Sequence, residues 1–312
     1  MRAFYTDNFV LPLPEGHRFP MDKYRQLRQR IADEIPNIWL TTPQAATDGV
    51  LALAHHPDYI KALTEGSLPI IHQKAIGFPW SLEMVERSRR SAGATIDAAR
   101  AALIDGCALN LAGGTHHASF ETGGGFCCFN DMAVAARLMQ AERRIEFAAV
   151  IDLDVHQGNG TAQIMAGDPT VFTLSMHGQS NYPFRKELSD LDVPLPDGLG
   201  DEDYLEALGN ALSELRQRFN PDIIFYLAGA DVYEGDRLGK LSLSKAGIAA
   251  RDQAVFDFAL TAYARPVPVA VAMGGGYCPI ISDIVDIHFS TVQLALRYAL
   301  QFSNHLQNPS LP

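Results

Sequence analysis

Short apolar runs alternate with longer stretches of helical periodicity along most of the chain. The runs are bounded mostly by turn residues, which is typical of buried strands. The five predicted strands are Ala108–Leu111, Phe147–Ile151, Val171–Leu174, Ile223–Ala228 and Val267–Met273. The predicted helices lie near Glu83–Ile104, Met132–Glu142, Asp201–Arg218, Lys245–Ala264 and Pro279–Leu300. This alternation predicts an α/β fold whose mostly parallel sheet is covered by helices on both faces.

Length and patterning indicate a single domain. With 312 residues, 47% of them hydrophobic, the chain can bury a sizeable core. We expect the domain to span residues 1–306 and Gln307–Pro312 to form a loose tail. The stretch Val193–Gly198 is predicted to be a surface loop, and Asp201 to be the N-cap of its helix.

The charge balance and the termini narrow the range of partners. The net charge of −11 disfavours nucleic acid and mildly favours a basic partner. Residues Met1–Asp7 lack the apolar segment of a secretory signal, and no stretch approaches the ~20 apolar residues of a membrane span. The four cysteines match no zinc-finger spacing and are expected to be reduced core thiols. We therefore expect a cytoplasmic protein without nucleic-acid or membrane partners. The sequence does not specify an oligomeric state.

Polar, glycine-rich segments follow four of the five predicted strands. Ligands of open parallel sheets bind outside the carboxyl ends of the strands, so four such segments indicate one shared site. The segments are Gly113–His117, Asp152–Gly160, Gly229–Asp231 and Gly274–Tyr277.

A metal site is predicted from the second and third of these segments. If the strand continues, Asp152, Asp154 and His156 lie on one face, and Asp154 and His156 could hold a metal together. Asp231 would be the third ligand, which leaves a position open for water or substrate, as a catalytic zinc requires. Each residue alone could be an ordinary loop or turn residue, and only their combination favours the metal.

The adjacent His116 and His117 reach one pocket only if the chain turns before them, which the preceding glycines permit. Histidine is the usual general base near neutral pH, and each ring needs an orienting partner on its other nitrogen. The candidate partners in the motifs are Asp152 and Asn159.

Two further glycine-rich segments carry aromatic residues. Gly123–Phe126, including Gly125, could line a narrow cleft with one aromatic wall, or could form a turn that leads into a core phenylalanine. Tyr277 follows three glycines and could present its phenol to developing negative charge, or could be a buried structural residue.

Taken together, these motifs resemble the histone deacetylases over nearly the whole chain, from about Tyr5 to Leu300. The strings IDLDVHQGNG and AGADVYEGDRLGKLSLS most resemble the class IV branch, and the compact length resembles bacterial members. The resemblance implies an arginase/deacetylase-like fold, one zinc ion and hydrolysis of an acyl-lysine amide. A donor set of two aspartates and one histidine also tolerates iron(II).

The resemblance also implies residue roles. Asp154, His156 and Asp231 match the zinc ligands, and His117 matches the general base and acid beside His116. In addition, Asp152 matches the support of His116, Tyr277 the oxyanion donor, Phe126 and Tyr182 the tunnel walls, and Leu238 the tunnel lip. A structural potassium ion would be bound by the backbone of Asp152, Asp154 and His156, with Ser175 and Met176.

Asn159 departs from the pattern, because many relatives carry aspartate at this position. A neutral partner should stabilise the charged form of His117 less than a carboxylate would.

Several functions are compatible with these motifs. The first is deacylation of a protein or peptide lysine, and the second is deacylation of a small amine such as an acetylpolyamine. An arginase-type ureohydrolase is disfavoured, because its second metal needs an acid at the position of Gly158. A non-catalytic acyl-lysine reader would not need both histidines and Tyr277. We further expect acyl groups longer than acetyl to be accepted, since Gly113, Gly114 and Gly274–Gly276 would leave volume unfilled.

Overall fold

A computed structural model describes residues 1–307 and contains one eight-stranded sheet in which every neighbouring pair of strands is parallel. The strand order is β2-β1-β3-β8-β7-β4-β5-β6. The strands are β1 (Arg2–Phe4), β2 (Trp39–Thr41), β3 (Cys107–Asn110), β4 (Ala148–Asp152), β5 (Val171–Gly178), β6 (Leu191–Leu195), β7 (Ile223–Leu227) and β8 (Val269–Ala272). The five predicted strands are confirmed, and β1, β2 and β6 extend the sheet at its two edges.

Helices cover both faces of this sheet, as predicted. They are α1 (Asp22–Glu34), α2 (Asp48–Leu51), α3 (Pro57–Glu65), α4 (Ile70–Ile76), α5 (Leu82–Asp105), α6 (Asp131–Ala141), α7 (Asn159–Met165), α8 (Asp201–Arg218), α9 (Lys245–Thr261) and α10 (Ile281–Gln307). Helices α5 and α6 contribute to the hydrophobic core on one face, and α1, α8, α9 and α10 to the core on the other.

The strand register produces these two cores. Side chains alternate between the faces of a strand, and partners in register share a face. Val150 is paired with Phe225, which is paired with Ala270, and all three belong to the core under α5 and α6. The next residues along each strand belong to the opposite core. The central strands are therefore buried on both sides, which explains why they are apolar throughout.

Two details of the sequence interpretation are wrong. Val193 to Leu195 form part of β6 and not a loop, because an edge strand tolerates Pro194, which has no N–H to donate. Gly200 is the N-cap of α8, while the Asp201 carboxylate accepts hydrogen bonds from the N–H and hydroxyl of Ser244, the N-cap of α9. Helix α10 includes Gln307, and the rest of the predicted tail lies outside the described residues.

Two further expectations concern the surface and the core. Within residues 1–307 no helix is both long and apolar enough to cross a membrane. All four cysteines are buried free thiols, as expected: Cys107, Cys127, Cys128 and Cys278.

Replacement of Gly93 in α5 by alanine is expected to destabilise the protein, although alanine favours helices by about 1 kcal/mol. A Cβ at Gly93 would lie 1.7 Å from the backbone oxygen of Gln44, so the helix and its neighbour must separate. We expect a loss of about 1–3 kcal/mol in the free energy of unfolding, measured by urea denaturation.

The matched control is Gly209→Ala in α8, where a Cβ meets nothing within 4 Å. This variant is expected to gain about 0.5–1 kcal/mol. Equal stability of the two variants would contradict the close approach at Gly93.

Candidate active site

The four polar segments lie at the ends of four neighbouring strands. Strands β3, β8, β7 and β4 are adjacent in the sheet and parallel, so their carboxyl ends meet at one edge. The four polar segments that follow these strands therefore lie close together at this edge, as the sequence predicted.

The three predicted metal ligands converge at this edge. The Nδ1 atom of His156 lies 2.9 Å from Oδ1 of Asp154 and 3.1 Å from Oδ2 of Asp231. The three residues offer ligand atoms that all lie within 4.8 Å of one another. A single cation could therefore be held by all three side chains.

The route to this convergence differs from the predicted one, because β4 ends at Asp152 and does not continue to His156. The backbone N–H of Asp154 donates to the Asp152 carboxylate at 3.1 Å, and that of His156 donates to the Asp154 carboxylate at 3.0 Å. Such side-chain-to-backbone bonds, two residues apart, bend the chain. The bends aim Asp154 and His156 at Asp231.

Charge and burial at this cluster favour a bound cation. Asp154 and Asp231 are 2% and 0% exposed, and neither pairs with a lysine or arginine among the described residues. Burial and the charge of Asp154 raise the pKa of Asp231 to about 7. Burial lowers the pKa of His156, but its bonds to Asp154 and Asp231 raise it to about 10. Buried carboxylates need a compensating cation, and two oxygens with one nitrogen suit zinc.

Glycines let the backbone approach the ligands closely. The N–H of Gly275 donates to Asp154 Oδ2 at 2.8 Å, and a Cβ at Gly275 would lie 1.9 Å from Asp231 Oδ2. At Gly113, Gly114, Gly274 and Gly276 a Cβ would also come within 2.9 Å of a neighbouring atom. The Cβ positions of these glycines are therefore taken up by the protein's own atoms, and the unfilled volume beside four of them is a cavity of only about 50 Å³.

The tandem histidines face the ligand cluster side by side. Gly113 and Gly114 have φ of 75° and 71°, and this left-handed turn brings the rings of His116 and His117 to 4.1 Å between centroids. The predicted partners are both in place. Nδ1 of His116 lies 2.6 Å from Asp152 Oδ2, and Nδ1 of His117 lies 2.7 Å from Asn159 Oδ1.

The two rings have opposite acid–base properties. Burial lowers the pKa of His116, but the charges of Asp152 and Asp154 and the hydrogen bond to Asp152 together outweigh it and raise the pKa to about 9. Burial, followed by the charges of His116 and His156, lowers the pKa of His117 well below its usual value. His117 is therefore the ring that is neutral and able to accept a proton.

Tyr277 and the lip residue Leu238 are tied together by Asp236. The Asp236 carboxylate accepts the N–H of Tyr277 at 2.6 Å and that of Leu238 at 2.8 Å. The Tyr277 ring lies 6.3 Å from that of His156, between centroids. Asp236 was not singled out in the sequence, although its position within EGDRLGK between two site residues was a usable signal.

The predicted tunnel residues line one pocket of about 770 Å³ that also reaches His117, His156 and Tyr277. Its walls include Gly125, Phe126, Tyr182 and Leu238, together with Phe184, which the sequence reasoning missed. Phe126 has φ of 67°, a conformation that is strained for a bulky residue. Its N–H donates to Ile76 at 2.7 Å, which holds the ring toward Tyr277.

Two buried residues that the sequence reasoning missed brace these segments. Asp131 accepts the N–H groups of Gly114 and Thr115 at 2.9 and 2.8 Å, and so fixes the turn before the histidines. Arg251 donates to the carbonyl oxygens of Leu153 and Gly229 at 3.3 and 2.6 Å, next to the metal-ligand segments. Both residues lie on helices, and no local motif marks them.

Gly158 cannot be replaced by the acid of a second metal site. A Cβ there would lie 2.3 Å from Asp152 Oδ2 and 3.5 Å from His116 Nδ1. The space for a second carboxylate is already occupied by the pair that orients His116.

Fold and site define the class: an α/β protein with a candidate metal-dependent centre at the carboxyl edge of a parallel sheet. The family model described as Histone deacetylase domain matches residues 17–292. An uncharacterized protein of Picosynechococcus is 44% identical over 286 residues, covering 91% of this chain and 94% of that one. Histone deacetylase 2 of Arabidopsis thaliana is 38% identical over 205 residues, covering 64% of this chain and 52% of that one. The chain belongs to the histone deacetylase family of hydrolases.

Other relatives agree with this assignment. The histone deacetylase-like amidohydrolase of Pseudomonas aeruginosa is 29% identical over 286 residues, covering 86% of this chain and 75% of that one. The crystal structure of the HDA15 HD domain has a TM-score of 0.78 at 21% identity and covers 99% of this chain and 97% of that one. An HDAC homolog complexed with SAHA has a TM-score of 0.80 at 24% identity, over 94% of this chain and 83% of that one. These two structures show the same fold, the arginase/deacetylase fold that the resemblance implied.

Asn159→Asp is expected to move the acidic limb of the pH–rate profile to higher pH. A carboxylate 2.7 Å from His117 Nδ1 would favour the charged ring and raise its pKa, so the neutral base would form only at higher pH. The measurement is kcat/KM against pH with an acetyl-lysine peptide.

The control is Asn159→Ala, which removes the acceptor without adding charge. It should lower the rate without moving the limb upward. An unmoved limb in Asn159→Asp would show that residue 159 does not set the protonation of His117.

Proposed function

We propose that the protein is a zinc-dependent amidohydrolase that removes acyl groups from the lysine side-chain amine of proteins or peptides. The observation that carries the proposal is the convergence of three ligand atoms within 4.8 Å at a pocket that also presents His117 and Tyr277. Membership of the histone deacetylase family and the amidohydrolase from Pseudomonas aeruginosa support it. So does the HDAC homolog that was crystallised with SAHA.

Asp154, His156 and Asp231 would hold the zinc ion, and the same donors tolerate iron(II). When bound, the metal would polarise the acyl carbonyl and make water more acidic. A structural potassium ion is proposed at the end of β4, bound by the backbone of Asp152, Asp154 and His156. Ser175 is paired in register with Asp152 and would complete that site with Met176.

His117 is proposed as the general base and then the general acid. The amide oxygen of Asn159 can only accept, so Nδ1 of His117 carries the proton and Nε2 is left free as a base. That nitrogen would take a proton from the attacking water and return it to the leaving amine. The products are a free lysine amine and a carboxylic acid.

The remaining site residues would orient the reacting groups. His116 is held by Asp152, and Tyr277 would donate its hydroxyl to the developing oxyanion. Phe126 and Tyr182 would flank the methylene chain of the lysine, with Gly125 beside His117 and Leu238 at the lip.

We further infer that the chain is a bacterial, class IV member, on the strings IDLDVHQGNG and AGADVYEGDRLGKLSLS. The 44% identity to the Picosynechococcus protein supports the bacterial assignment. The cytoplasmic location stays a prediction.

A second candidate function is the deacylation of small amines, which needs the same chemistry. The ureohydrolase alternative is disfavoured by the lack of room at Gly158, and a non-catalytic reader by the paired His117 and Asn159.

The metal assignment is tested by three substitutions. Asp231→Ala is expected to lose bound metal and activity together, because three protein ligands leave none to spare. His117→Ala and Tyr277→Phe are expected to keep one transition-metal ion per chain and to lose turnover by about 10²–10⁴-fold and 10²–10³-fold, respectively. Elemental analysis and turnover of an acetyl-lysine peptide are measured on each variant. Two transition-metal ions per chain in the wild type would overturn the assignment of a single catalytic metal.

The acyl group has limited room behind the ligands. A cavity of about 50 Å³ there is lined by Ala112, Gly113, His116, Gly274 and other buried residues. A water needs about 10–15 Å³ of such volume, so the cavity suits only a few heavy atoms. We therefore expect kcat/KM to fall from acetyl through octanoyl to myristoyl on one lysine peptide. A rise of kcat/KM with chain length would contradict this and support the expectation from the sequence that acyl groups longer than acetyl are accepted.

A further inference from the structure

The mouth of the active-site pocket carries cations from three separate segments of the chain. Arg18 lies in the loop before α1, Lys74 in the last turn of α4, and Lys240 in the segment after β7. All three are exposed and line the pocket that reaches His117, His156 and Tyr277. Among the described residues that line this outer pocket there is no aspartate or glutamate.

These cations are largely uncompensated. Within residues 1–307, Arg18 and Lys74 form no ion pair. Lys240 lies 3.6 Å from Asp197, and both side chains are about half exposed. The carboxylate of Asp236 in the neighbouring loop already accepts N–H groups from Tyr277, Leu238 and Gly239. The mouth therefore presents positive charge to an incoming ligand.

This charge is opposite to that of the chain as a whole. Acidic residues outnumber basic ones by 36 to 25, so composition alone would make the mouth acidic. The net charge mildly favoured a basic partner. A substrate in the pocket, however, interacts more strongly with the nearby charges at the mouth than with distant surface charges, which salt screens. Charged groups at a pocket's rim mainly set the association rate and the choice of partner.

We propose that the mouth selects an acyl-lysine whose flanking residues are acidic, with Arg18 and Lys74 as the residues that determine this specificity. The inference rests on the proposed function, since it concerns the substrate of the same site. Cationic substrates such as acylated polyamines meet like charge at the mouth and are disfavoured. If the protein deacylates small amines instead of peptides, we expect those amines to carry a negatively charged group.

The size of the expected preference for acidic flanks can be estimated from the strength of exposed ion pairs. Exposed ion pairs contribute about two- to fivefold each in binding, and added salt weakens them. Two or three such pairs give roughly tenfold between acidic and neutral flanks. Peptides with basic flanks are expected to bind more weakly than those with neutral flanks, by a similar factor.

The experiment compares three peptides that share one central acetyl-lysine and differ only in their flanks, which are glutamate, glycine or lysine. Binding is measured by fluorescence anisotropy and turnover as kcat/KM, with the metal-loaded full chain. We expect the order glutamate, glycine, lysine in both readouts. The differences between the three peptides should disappear at about 1 M salt, where the Debye length is only roughly 3 Å.

Charge reversal identifies the residues. Arg18→Glu and Lys74→Glu are each expected to reduce the preference for acidic flanks several-fold, and together to reverse it. The matched control is Lys61→Glu, which makes the same charge change on an exposed residue of α3 that lies outside the pocket lining. The control should keep the wild-type preference.

The outcomes separate this inference from the proposed function. Turnover that is equal for all three flanks overturns the inference and leaves the deacylase intact. Preferential binding of the acidic peptide without any turnover overturns the deacylase and supports the anionic recognition. A fourth substrate, 6-acetamidohexanoate, has a carboxylate but no peptide. If it were preferred over the acidic peptide, the anion would belong to a small molecule, and the peptide assignment would be overturned.

Discussion

The site depends on holding two buried carboxylates, Asp154 and Asp231, against each other at one point. Like charges repel strongly where the dielectric is low, and the fold opposes this repulsion with backbone donors. Val155 donates to Asp231 at 3.0 Å, and His156 and Gly275 donate to Asp154 at 3.0 and 2.8 Å. N–H groups orient the carboxylates without adding a full positive charge, so the remaining negative charge stays available for a metal. A lysine or arginine in their place would compete with the ion.

A fully buried guanidinium near the site, that of Arg251, likewise leaves the negative charge of the ligands in place. Arg251 bonds to the carbonyl oxygens beside the ligands, at Leu153 and Gly229, and not to the ligands themselves. Its own charge is balanced by Asp252, whose carboxylate also accepts the hydroxyl of Tyr226 at 2.5 Å. The arginine can thus join the segments after β4 and β7 without neutralising Asp154 or Asp231. Replacing either Arg251 or Asp252 alone would leave the other charge buried without a partner, which is strongly destabilising. We therefore expect both positions to tolerate few other residue types.

The sequence predicted the parallel sheet and the convergence of its polar segments, because both follow from periodicity and from where strands end. It could not predict how the convergence is reached. The bends at Asp154 and His156 come from side-chain-to-backbone bonds that compete with the strand, and β6 forms around Pro194 only because the edge of the sheet is free there. The glycines before Tyr277 looked like open space, since a sequence does not show that Asp231 lies against them. Burial of a residue by distant chain segments is the information that local patterns lack.

Chemistry and selectivity are placed on different parts of the molecule. The proposed ligands and His117 follow the central strands, where two cores and buried bonds fix their positions. The cations Arg18 and Lys74 lie on a loop and a short helix outside that centre and are exposed. Loops on a rigid scaffold can change without disturbing the catalytic geometry. Relatives that share the catalytic segments can therefore differ in substrate through the mouth alone. For this reason family membership specifies the reaction more closely than the molecule on which it acts.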